Sequence, residues 1–108
     1  MYSKNTILLV DDEEVIKRRL RDVITDDYEV LEASNGQEAL DVLAANVDKV
    51  AVIVLDLIMP VMDGFRFMEE FGKHREYDNI PVIVATSNDD WHSEQKCLEA
   101  GVWDFVMK

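Results

Sequence analysis

The residues best equipped for chemistry are acidic, and each set directly follows an apolar run. Val10 is followed at once by Asp11-Asp12-Glu13-Glu14, and Leu55 is followed at once by Asp56. If the two runs are neighbouring strands, Asp11, Asp12 and Asp56 converge at their ends. Three carboxylates in one pocket repel one another strongly unless some are protonated or a cation neutralises them. A hard divalent ion meets that need, because Mg²⁺ takes oxygen ligands and binds through one or two carboxylates together with waters and phosphate oxygens. Two later runs add complementary groups. Ile80 to Val84 leads into Thr86-Ser87, a hydroxyl pair, and Trp103 to Met107 leads into Lys108, a point-charge donor suited to a phosphoryl group. Acid, hydroxyl and ammonium groups together fit phosphoryl transfer onto a carboxylate, with metal and ammonium offsetting charge and an aspartate as nucleophile.

Positioning these groups requires a particular order of elements. Runs rich in Val, Ile and Leu at 7–10, 51–55 and 80–84 read as strands buried on both faces, as parallel-sheet strands are. Weaker strands at 28–32 and 103–107 carry Glu29, Glu32, Asp104 and Lys108, charges that suit sheet edges. Between them lie helical patterns: Ile16, Leu20, Val23 and Ile24, then Leu40, Leu43, Ala44 and Val47, then Phe67, Met68 and Phe71. A fourth helix spans about 90–100 and ends on the C-cap pair Ala100-Gly101. Strand and helix alternate throughout, which predicts an α/β fold with right-handed crossovers around a doubly wound, five-stranded parallel sheet. In the strand order 2-1-3-4-5 the first and third strands are neighbours, and their carboxyl ends flank the switch point where ligands bind.

Composition narrows the alternatives. A chain of 108 residues with 48% apolar and 31% charged residues predicts one globular domain, 1–108. Eleven Lys and Arg against 23 Asp and Glu give a formal charge of −12, which disfavours direct contact with nucleic acid or an anionic membrane. Neither a membrane span nor a signal peptide is present in the sequence, and the lone Cys97 has no disulfide or metal-ligand partner at useful spacing. The expected location is cytoplasmic.

The chain resembles the receiver domain of two-component response regulators, the CheY-like fold. The resemblance rests on Val10-Asp11-Asp12-Glu13, Asp56 through Gly64, Pro81 through Ser87, and Ala100 through Lys108, in order and each at a strand end. It implies that Asp56 is the phosphoacceptor, receiving a phosphoryl group from a phosphohistidine on a sensor histidine kinase or histidine phosphotransfer protein. It further implies that Asp12, Asp56 and the backbone carbonyl of Ile58 are Mg²⁺ ligands, with Asp11 acting mainly through coordinated water. Thr86 and Lys108 would each bind a phosphoryl oxygen, and Phe105 would be an aromatic switch moving with Thr86. Ile58 and Asn88 occupy the positions that tune phosphoryl lifetime; because Ile58 cannot position water, slow loss of phosphate is expected. The domain would be a signalling switch for protein–protein contacts, not an enzyme beyond promoting its own phosphorylation and dephosphorylation.

Plainer readings stand beside these. Carboxylates after strands are often solvated turn acids or helix caps, Thr86 an N-cap, Phe105 core, and Asp63-Gly64 a turn. Lys17, Arg18, Arg19 and Arg21 read as a solvated helix face or part of a docking surface, His74 and His92 as surface residues, and the methionines as packing. A degenerate receiver acting only by protein contact is one alternative. A haloacid-dehalogenase-like phosphatase is another, but it needs a second acid two residues after the nucleophile, where Ile58 stands. A flavodoxin-like carrier wants a glycine- and hydroxyl-rich phosphate loop where Asp-Asp-Glu-Glu stands. Finally, the sequence stops at the fifth strand, where this family continues into a closing helix. The sequence reading therefore expects a sheet face open to self-association.

Overall fold

A computed structural model of the chain describes residues 5–23, 28–57, 59–86, 95, 96, 98, 99 and 101–107. The elements are β1 (Thr6–Val10), α1 (Glu14–Val23), β2 (Glu29–Ala33), α2 (Gly36–Asn46), β3 (Val50–Leu55), α3 (Gly64–Phe71), a 3₁₀ turn (Arg75–Tyr77), β4 (Val82–Thr86) and β5 (Asp104–Met107). All strand pairs are parallel, and the sheet order is β2-β1-β3-β4-β5, as the alternating pattern predicts. The charged strands β2 and β5 occupy the two edges.

Register explains why the inner strands are continuous apolar runs. Leu8 lies between Leu31 and Ile53, and Ile53 in turn pairs with Val82, so these side chains share one face. One step along, Val10 pairs with Ala33 and Leu55, and Leu55 with Val84. This face forms the main core with Ala39 and Leu43 of α2 and Phe67, Met68 and Phe71 of α3. Phe71 also stacks on Tyr77, with ring centroids 5.4 Å apart, and burial pushes the Tyr77 phenol pKa up. On the opposite face Leu9 is fully buried, while Val52, Val54, Ile83 and Ala85 are half-buried.

Three expectations shift. β4 starts at Val82, two residues later than the apolar run, because Pro81 has no N–H to donate to the ladder and contributes only its carbonyl, which accepts from Ile53. Thr86 is consequently the last strand residue. Val23, placed on the buried stripe of α1 by its spacing, ends the helix and is 77% exposed. Lys17 is no part of a solvated face: it is 3% exposed, whereas Arg18 and Arg19 are exposed and Arg21 pairs with Glu32. The long lysine stem lies inside, and its ammonium is satisfied by Ser34 Oγ at 3.1 Å and Glu14 Oε1 at 3.0 Å. The fourth helix is present at Gln95, Lys96, Leu98 and Glu99. It ends as expected, with Gly101 at φ 97° donating its N–H to Leu98.

Candidate functional site

Asp11 and Asp56 extend the ladders one residue beyond their strands. The Asp56 N–H donates to the Val10 carbonyl at 2.8 Å, and the Asp11 N–H donates to the Ala33 carbonyl at 3.0 Å. The two carboxylates are thereby fixed side by side at the carboxyl end of β1 and β3, the switch point of the sheet. Both are buried, Asp11 at 4% and Asp56 at 5% exposure. The chain then turns sharply after β1: Asp11 Oδ1 accepts from the Glu13 N–H at 2.9 Å, an Asx-type turn. That turn brings Asp12 and Glu13 back over the strand ends. Asp11, Asp12, Glu13 and Asp56 each present a carboxylate oxygen, and these oxygens all lie within 4.8 Å of one another.

A set of four carboxylates offers only hard oxygen donors, two of them from buried residues. Such a donor set fits a hard divalent cation and suits neither a thiol- nor an imidazole-preferring metal. Glu13 is a member that the sequence reading left out. The available signal was its place two residues after Asp11, where an Asx turn folds it back beside the strand ends. Its neighbour Glu14 turns away to Lys17.

The loop after β3 is held by α3. Asp63 caps that helix by accepting from the Arg66 N–H at 2.9 Å, and the Gly64 N–H donates to the Leu57 carbonyl at 3.0 Å. Gly64 presses directly on the Asp56 backbone: a Cβ there would sit 2.5 Å from the Asp56 carbonyl oxygen and 2.9 Å from Leu57 Cα. Asp63-Gly64 is thus the turn and helix start that the sequence suggested, in a position that supports Asp56.

Thr86 ends β4 in register with Met107, and Phe105 lies on β5 opposite Val84, so the backbone places both on the strands that continue from the site. Ile58, Asn88 and Lys108 lie outside the described residues, as do His92 and Cys97. His74 is half exposed, against the Tyr77 ring and far along the chain from the acids.

Fold and site together define a doubly wound α/β domain with a carboxylate cluster at its switch point. Residues 7–108 match the family model of the response regulator receiver domain, and the chain belongs to that family. It is 37% identical over 105 residues to the transcriptional regulatory protein SrrA of Staphylococcus aureus, covering 96% of this chain and 42% of SrrA. The chain thus spans about two-fifths of the length of that curated relative. Among solved structures, the chemotaxis protein CheY4 of Vibrio cholerae is 28% identical with a TM-score of 0.87, over 98% of this chain and 88% of CheY4. The response regulator Rcp1, solved in its Mn(2+)-bound form, is 26% identical with a TM-score of 0.87, over 96% of this chain and 81% of Rcp1. Among the described residues, no helix is long and apolar enough to cross a membrane.

Proposed function

We propose that this receiver domain is a phosphorylation switch in which Asp56 takes a phosphoryl group from a histidine kinase or histidine phosphotransfer protein in the cytoplasm. The observation that carries the reading is Asp56 itself: a buried carboxylate ending a central strand, with three other carboxylates within 4.8 Å. Asp56 Oδ attacks the phosphorus of the donor phosphohistidine. The P–N bond breaks, the imidazole leaves and takes up a proton, and an aspartyl phosphate remains. Asp12, Asp56 and the Ile58 carbonyl are the groups to hold Mg²⁺, with Asp11 acting through water and Glu13 adding a further charge. Bound there, the cation would neutralise the negative charge that otherwise keeps a phosphoryl group away from the carboxylates. The Mn(2+)-bound form of Rcp1 supports a divalent ion in this family. Thr86 and Lys108 are assigned to the phosphoryl oxygens. Phe105 is assigned to the switch that changes the partner preference of the surface around the fourth helix and β5.

This makes the domain a signalling module with no turnover of a separate substrate. Calorimetric titration with Mn²⁺ tests the cation site. The wild-type chain is expected to bind one ion and Asp12→Asn to bind at least about tenfold more weakly, the loss of one charge-assisted ligand. Equal binding by the two, or none by the wild type, contradicts the assignment. Sustained hydrolysis of p-nitrophenyl phosphate would instead favour the phosphatase reading, which Ile58 argues against.

A further inference from the structure

The connection from β3 to α3 holds the one positive-φ residue other than glycine among the described residues, Val61 at 67°. The Met62 N–H donates to the Pro60 carbonyl at 2.7 Å, which closes a three-residue γ-turn on Val61. A β-branched side chain is among the least suited to this conformation, which glycine and asparagine adopt far more readily. The turn is also clamped from α2, where the Gly36 N–H donates to the Met62 carbonyl at 2.7 Å. The fold gains little from the side chain held in this way, because Val61 is 86% exposed. Strain at a residue whose side chain the fold leaves outside directs attention to what that side chain meets.

Geometry limits the candidates. Asp56 is buried at the carboxyl end of β3, and the loop bearing Val61 begins immediately after it. A protein that brings a phosphohistidine onto Asp56 covers on the order of 800 Å² of this end of the domain, a patch roughly 30 Å across, so the loop falls within its footprint. Val15, in the first turn of α1 and two residues after Glu13, is 61% exposed. Each acidic strand end is thus followed within a few residues by an exposed valine, Val15 after Asp11–Glu13 and Val61 after Asp56, an arrangement that favours a donor surface with an apolar pocket beside its phosphohistidine.

We propose, on the reading of Asp56 as phosphoacceptor, that Val61 is an apolar anchor for the protein phosphodonor, held in a strained turn at the expense of fold stability. The anchor serves recognition of the donor protein and takes no part in the chemistry at Asp56. A small phosphodonor makes no use of it.

The test compares the full chain with Val61→Gly, Val61→Asn and, as an exposed valine at the far end of α1, Val23→Asn. Each is phosphorylated by acetyl phosphate and by a phosphorylated histidine phosphotransfer domain selected for transfer to the wild type. Both Val61 variants are expected to melt at a higher temperature than the wild type and to accept from acetyl phosphate within about twofold of its rate. From the protein donor they are expected to be slowed at least about fivefold in kcat/KM, as for loss of an interface anchor. Val23→Asn should match the wild type with both donors. Unchanged transfer from the protein donor, equal slowing with acetyl phosphate, or no gain in melting temperature overturns the proposal. A wild-type chain that accepts from neither donor overturns the reading of Asp56 and this proposal together.

Discussion

At Asp56 the decisive contacts are a residue or two away in sequence or one strand away in space. Asp11 lies alongside through the β1–β3 pairing, and Glu13 is folded back by the turn that Asp11 accepts. The side chain two residues after Asp56, the proposed phosphoacceptor, is Ile58, which has no atom able to hold a water for attack on an acyl phosphate. Ile58→Asn is therefore expected to shorten the lifetime of the phosphorylated domain several-fold, followed as loss of label from the purified protein. An unchanged rate would mean that the side chain there does not govern hydrolysis. Asp11, Asp12 and Asp56 were legible because they follow the two apolar runs that read as neighbouring inner strands. Lys17 was not, since a lysine beside two exposed arginines looks solvated and its partner Ser34 lies 17 residues away. Val61 was equally hidden: nothing in Pro60-Val61-Met62 announces a γ-turn, and the hydrogen bond that clamps the turn comes from Gly36 on α2.

Among the elements, α3 does the most to fix the site, because it begins against the backbone of Asp56. Gly64→Ala would place a methyl group 2.5 Å from the Asp56 carbonyl oxygen, and backbone cannot yield as a flexible side chain can. Overpacking of this kind is expected to cost about 1–3 kcal/mol in urea unfolding and to slow phosphoryl uptake by displacing Asp56. A variant with an unchanged unfolding midpoint would show that the helix start has room to move. The order of strands and helices could be read from the sequence, because continuous apolar runs alternate with helical stripes. Element ends could not. Ile80-Pro81-Val82 is one apolar run, yet the ladder excludes the proline, and the stripe of α1 continues to Val23 although the helix stops there.

Across the whole molecule, the formal charge of −12 and the cluster at the switch point act in the same direction. The field around the domain draws in cations and opposes an incoming phosphate, so the proposed phosphorylation would depend on local neutralisation at the carboxyl end of β1 and β3. The central claim is that this neutralised pocket makes Asp56 reactive toward a phosphoryl donor. Intact-mass measurement after incubation with acetyl phosphate and Mg²⁺ tests it most directly. The account predicts that the wild-type chain gains the mass of one phosphoryl group, that chelation of the metal prevents the gain, and that Asp56→Asn shows none. No gain in the wild type, or the same gain in Asp56→Asn, would contradict it.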